Sequence, residues 1–120
     1  MDDRQRKEAG RGAEDAALEY LQRCGLTLIA RNYRCSAGEI DLVMLDGATL
    51  ALIEVRYRAS ARYGGAAASV TWDKQRRIAR AARHLLLVRP ELRRYPARFD
   101  VVAITAPETA VNWIRDAFTL

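Results

Sequence analysis

Histidine, cysteine and lysine are scarce in this chain of 120 residues, which has a single histidine (His84), two cysteines and two lysines against 18 arginines. Cys24 and Cys35 form no CxxC and have no neighbouring His, which excludes a zinc site or a redox pair. Both are expected to be reduced, with Cys24 on the apolar stripe of a helix and packed in the core. Long apolar runs are also missing. Leu85-Leu86-Leu87-Val88 is far too short to span a bilayer, and the charged start from Met1 to Glu8 does not resemble a secretory signal, so a cytoplasmic protein is expected.

The chain is large enough, at 13.5 kDa, to bury one core without staples, and residues 1–120 are read as a single domain. Its net charge of +5 and pI near 9.7 favour polyanionic partners, because guanidinium groups pair phosphates bidentately at every physiological pH. A GC-rich genome would produce the same arginine excess.

Apolar residues at Ala13, Ala17, Leu21 and Cys24 predict an amphipathic helix that ends at Gly25. Gly10 and Gly12 obscure its start, each disfavouring helix by roughly 1 kcal/mol relative to Ala. Strands are predicted over Leu26 to Arg34, Glu39 to Leu45 and Leu50 to Arg58, the last two joined through Asp46-Gly47 as a hairpin. Residues 59–70 read as a mobile loop around Tyr63-Gly64-Gly65. A second helix follows, capped by Thr71 and stopped by Pro90. Its apolar stripe is Ile78, Ala81, Ala82, Leu85 and Leu86; Arg76, Arg77, Arg80, Arg83 and His84 lie opposite. Phe99 to Thr105 reads as a fourth strand and Val111 to Ile114 as a short fifth. This order predicts an α/β (α+β) fold, a mixed central sheet of four to five strands flanked by helices.

The hairpin carries the chemistry. Alternation puts Glu39, Asp41, Val43 and Leu45 on one face, and Ile40, Leu42 and Met44 on the other with Ala51, Ile53, Val55 and Tyr57. A loop of Asp46 to Thr49 sets Asp41 opposite Glu54 and Glu39 opposite Arg56; a two-residue loop makes these pairs diagonal on the same face. Magnesium takes hard oxygen ligands at roughly 2.0–2.1 Å and keeps several waters, so Asp41, Glu54 and the Val55 carbonyl suffice as the protein share. Such an ion polarises a phosphodiester and activates water. The same pattern also describes an ordinary half-exposed sheet face, with Glu39, Asp41, Glu54, Arg56 and Arg58 in cross-strand ion pairs. Glu14 lies at the edge of the first helix's stripe and faces the sheet, either as a fourth site carboxylate or as a partner of Arg34 or Arg56.

Longer motifs add to the spacing. Gly12-x-Glu14, Arg31-Asn32-Tyr33-Arg34, Gly38-Glu39-Ile40-Asp41-Leu42, Glu54-Val55-Arg56-Tyr57-Arg58, Lys74 with Arg77-Ile78 and Ala81-Ala82, Arg98-Phe99-Asp100-Val101-Val102 and Ala117-Phe118 together resemble the bacterial YraN-type family. The resemblance spans nearly the whole chain. That family is an uncharacterised branch of the PD-(D/E)xK nuclease-like superfamily, similar to archaeal Holliday-junction resolvases, and implies a restriction-endonuclease-like fold. Carried over, Glu14 is the helix-one acid, Asp41 and Glu54 are the metal ligands, Glu39 belongs to the signature and Arg56 occupies the Lys position. Lys can trade a proton with a nucleophile; Arg can only stabilise negative charge. Lys74, from the second helix, is placed to restore what Arg56 lacks.

The resemblance implies a Mg²⁺- or Mn²⁺-dependent endonuclease for branched or flapped DNA in repair or recombination, with a homodimer as the expected assembly. Arg58, Lys74, Arg76, Arg77, Arg80 and Arg83 are the expected nucleic-acid contacts, with the Arg62-to-Gly65 loop closing over a strand. Two other functions stay open: a nucleic-acid-binding module that no longer cuts, and a protein–protein adaptor in DNA processing. Trp72 and Trp113 are expected to pack rather than stack on bases.

Overall fold

The computed structural model describes residues 2–58, 70–105 and 110–119. The first helix, α1, spans Asp3–Arg23 and starts ten residues earlier than its apolar stripe predicts. A capping box explains the early start: Asp2 accepts from the Gln5 amide at 2.8 Å, and Gln5 Oε1 accepts from the Asp2 amide at 3.0 Å. These bonds satisfy orphan amides of the first turn and offset the glycines further along. At the other end Cys24 is the C-cap and is exposed, so its expected place in the core is wrong. The stripe ends at Leu21, one turn earlier, and both cysteines are free thiols.

Five strands follow the order β1-β2-β3-β4-β5: β1 (Thr27–Cys35), β2 (Gly38–Asp46), β3 (Thr49–Arg58), β4 (Ala97–Thr105) and β5 (Ala110–Phe118). All neighbours are antiparallel except β3 and β4, which run parallel. A parallel pair needs a crossover, and this one carries α2 (Trp72–Val88). Thr71 caps α2 as expected, its hydroxyl accepting from the Lys74 amide at 3.2 Å. Pro90 begins a short 3-10 helix, Pro90–Arg94, and β5 is longer than its apolar core predicts. The architecture is the mixed, helix-flanked α+β sheet expected of a restriction-endonuclease-like domain. No helix among the described residues is long and apolar enough to cross a membrane. The predicted Arg62-to-Gly65 loop lies outside the described residues.

Two apolar layers sandwich the sheet. Ala13, Ala17 and Leu21 of α1 pack on Leu42, Met44, Ala51, Ile53, Val102 and Ile104. Ile78, Ala81, Ala82 and Leu85 of α2 pack on Ile40, Val43, Leu50, Leu52, Val101 and Ala103. Strict alternation therefore fails in β2, because Ile40 joins the α2 layer and Leu42 the α1 layer. Asn32, between the register pairs Arg31–Leu42 and Tyr33–Ile40, has φ 53°, a left-handed conformation that Asn tolerates. The sheet changes parity here. Asp41 is the residue at which it turns.

Candidate functional site

The hairpin closes through Gly47-Ala48, with Asp46 paired to Thr49, and its ladder runs only to Leu42–Ile53. Beyond that point β2 and β3 separate, so Glu39 and Arg56 are not cross-strand partners as the sequence suggested. Glu39 instead accepts from Arg34 at 3.1 Å on β1. At the fork a side chain replaces the backbone ladder: Asp41 Oδ2 accepts from the Val55 amide at 2.8 Å. That bond holds the carboxylate in the gap between strands, beside Glu54. β3 meanwhile stays paired to β4 through Arg58–Thr105, which fixes Glu54 in a continuous strand.

Glu54 is only 5 % exposed, and its Oε2 has no hydrogen-bond partner. Two ionised carboxylates cannot donate to each other, so a proton between Asp41 and Glu54 would supply the missing bond. Burial, and then the charge of Asp41, push Glu54 up to about 8, against the opposing pull of Lys74 and Arg56. Burial also raises Asp41, with the Val55 amide acting the other way and the charge of Glu14 adding to the rise. An orphaned buried oxygen and two carboxyls that resist ionisation make Asp41 and Glu54 a candidate site for a shared proton or a cation.

Glu14 faces the sheet from α1, but its partner is neither Arg34 nor Arg56. Arg31 on β1 donates to Glu14 at 3.1 Å and to Asp15 at 2.5 Å, clamping α1 to the sheet with Glu14 near enough to act on Asp41. Sequence reasoning missed this role of Arg31. Its signal was the Arg-Asn-Tyr-Arg motif, where Asn32 turns Arg31 and Tyr33 towards different layers.

Two cations approach Glu54 from different elements. Arg56 Nε lies 3.8 Å from Glu54 Oε1, and Lys74 Nζ, from the first turn of α2, lies 3.7 Å from the same oxygen and 3.9 Å from Glu39. Lys74 is therefore beside the carboxylates and not out on the basic surface. Arg76, Arg77, Arg80 and Arg83 are exposed, and Arg76, Arg80 and Arg83 line a shallow groove of about 170 Å³. Arg58 ends β3. Trp113 packs in the α1 layer as expected, its indole donating to Asp100 at 3.0 Å. Trp72 is 62 % exposed, which contradicts the packing expectation. As the first residue of α2, it shares the outer stripe with Arg76, Arg80 and Arg83.

The chain matches the profile of the family described as uncharacterised protein family UPF0102 over residues 13–104. The chain belongs to UPF0102. A UPF0102 protein of Stutzerimonas stutzeri (strain A1501) is 49 % identical over 114 residues, covering 93 % of this chain and 95 % of the relative. One from Saccharophagus degradans is 51 % identical over 113 residues, with 94 % of each covered. One from Herminiimonas arsenicoxydans is 55 % identical over 113 residues, 93 % of this chain and 87 % of the relative. The YraN-type resemblance read from the motifs is thereby borne out.

The UPF0102 match encloses every candidate residue from Glu14 through Lys74 to Arg83, and stops before β5. Another UPF0102-matched residue, Asp100, is fully buried at the start of β4 and ties down β5. Its carboxylate accepts from Arg98 Nε at 3.0 and 3.1 Å, from Trp113 and from the Asp116 amide at 2.9 Å. Arg98 also bridges to Asp46 at 2.7 Å, so this network braces the hairpin turn at the opposite end of the sheet from the fork.

Proposed function

We propose that this UPF0102 protein is a metal-dependent nuclease acting on structured DNA, with Asp41 and Glu54 as the metal-holding carboxylates. The observation that carries this reading is the buried, orphaned Glu54 Oε2 facing Asp41 at the β2–β3 fork. Among the described residues no group of three or more His, Cys, Asp or Glu side chains is arranged to hold a metal ion. A hard divalent cation fits nonetheless, because Mg²⁺ and Mn²⁺ sites use one or two carboxylates and fill the rest of the octahedron with water, backbone and substrate oxygens. When bound, the ion supplies Lewis-acid polarisation of the phosphate and a more acidic water.

The chain's own residues divide the remaining work. Asp41 is oriented by the Val55 amide and by the strand separation, so it needs no rearrangement to accept a ligand. Glu54, beside Asp41, would hold the cation as its carboxylate, in place of the proton that burial favours. Lys74 faces the space beside Glu54 and takes the part of the family lysine: its ammonium stabilises the anionic transition state and, unlike Arg56, can release a proton. Arg56 contributes charge alone. The outer stripe of α2 contacts phosphates, which adds affinity without sequence preference.

Purified protein is incubated with linear, flapped and four-way DNA, with and without Mn²⁺, beside Asp41→Asn and Lys74→Met. Cleavage that needs Mn²⁺ and disappears in Asp41→Asn supports the reading. Structure-selective binding without cleavage in any arm replaces it with a non-cutting nucleic-acid module, the reading that the arginine at position 56 favours. Absence of both binding and cleavage leaves a protein–protein adaptor.

A further inference from the structure

A second concavity lies next to the carboxylates. It is an open depression of about 320 Å³ between the β1–β2 turn and the first turns of α2, and its walls include Arg34, Ser36, Gly38, Glu39, Lys74 and Arg77. The volume is at the small end for ligand pockets, suited to one nucleotide-sized group and too small for a duplex.

Its charge is uneven in a telling way. Arg34 is engaged by Glu39, and Lys74 is shared between Glu39 and Glu54. Arg77 forms no ion pair among the described residues, although it stands on the pocket wall. Three cations therefore face one carboxylate across an open concavity, leaving an excess positive charge on its walls. The narrowness is also built in: a Cβ on Gly38 would lie 2.4 Å from the Arg77 carbonyl oxygen, so only glycine lets the turn close onto α2. Lys74 is common to this pocket and to the Asp41–Glu54 site.

We propose that this pocket is a phosphate subsite, holding the phosphate next along the strand from the one presented to Asp41 and Glu54. Arg77 is its principal ligand, Arg34 supports it, and Lys74 spans the two phosphates. The occupant is a phosphorylated end or an unpaired nucleotide of a nucleic-acid strand. The proposal rests on the nuclease reading for its ligand class alone.

The test is binding in metal-free buffer containing EDTA, so it does not depend on cleavage. Trinucleotides with a 5′-phosphate, a 3′-phosphate or no terminal phosphate, and inorganic phosphate alone, are titrated by NMR. At least one phosphorylated trinucleotide is expected to bind about tenfold tighter than the unphosphorylated one, as suits a charge-assisted contact. Arg77→Ala should erase that difference, Arg77→Lys should restore part of it, and Arg23→Ala, at the exposed end of α1, should leave it within about threefold. Cleavage by Asp41→Asn is read separately, with Mn²⁺, so a failed nuclease reading and a failed subsite give different results. Equal losses in Arg23→Ala and Arg77→Ala, no preference for a phosphorylated end, or inorganic phosphate binding as tightly as the oligonucleotides would each overturn the proposal.

Discussion

Lys74 and Glu54 meet at 3.7 Å although one opens α2 and the other sits in the middle of the sheet. The pairing brings a lysine to Glu54 from a neighbouring layer and not from the strand. On the nuclease proposal, Lys74 is the cation whose loss should tell most on cleavage. Lys74→Met should lower cleavage about a hundredfold, the usual effect of deleting one charge-stabilising group, while Arg56→Lys leaves it unchanged or raises it. Quantitative cleavage assays on one flapped substrate check both.

Without metal, the protein should lose stability as pH rises. Glu54 has a folded-state value near 8 against an ordinary 4.5, so the folded protein binds the extra proton throughout that interval. Stability from this group is full below about pH 4.5, declines towards pH 8, and then levels off. Urea melts from pH 5 to 8.5 should show that decline, flattened in Glu54→Gln. Because a cation competes with the proton, Mn²⁺ should raise the melting temperature more at pH 8 than at pH 5.

Asp100 is predicted to be the costliest polar position outside the fork. Asp100→Ala leaves Arg98 with only Asp46 and strands the Trp113 indole and the Asp116 amide. Removing one partner of a buried ion pair costs about 3–5 kcal/mol. Chemical denaturation should find a loss in that range, with the β5 amides exchanging first.

Gly38→Ala should destabilise the protein by about 1–3 kcal/mol, because the added methyl meets backbone and cannot be turned aside. At Gly25 nothing lies within 4 Å of an added Cβ, so Gly25→Ala costs only the strain of its φ of 95°. Comparing the two by thermal melts separates crowding from backbone conformation.

If α2 lies along phosphates, DNA affinity should fall with salt at a log–log slope of about −0.9 per phosphate neutralised on duplex. The triple variant of Arg76, Arg80 and Arg83 to Gln should flatten that slope by about 2–3 units. An unchanged slope removes this stripe from the interface.

Periodicity was enough for the elements, since an apolar stripe reports one buried face and both helices have one. The start of α1 escaped it because Asp2 and Gln5 stabilise that end through hydrogen bonds. Alternation brought Asp41 beside Glu54, as the structure has them, but its Glu39–Arg56 cross-strand pairing is absent, because it assumes an unbroken ladder. The ladder ends at Leu42–Ile53, and the left-handed Asn32 next door shifts which layer each side chain joins. Lys74 and Arg31 reach the carboxylates through packing between elements, which no local pattern encodes. Cys24 and Trp72 erred for one shared reason: each stands at a helix end, where stripe membership no longer implies cover.

The Asp41–Val55 bond has a spectroscopic consequence. A main-chain proton that would ordinarily bond a carbonyl is held by a group that can itself gain a proton or give up a lone pair to an ion. The Val55 amide resonance should therefore move with the state of the carboxylates and mirror their titration. Its shift and exchange rate make the fork a built-in gauge of what occupies it.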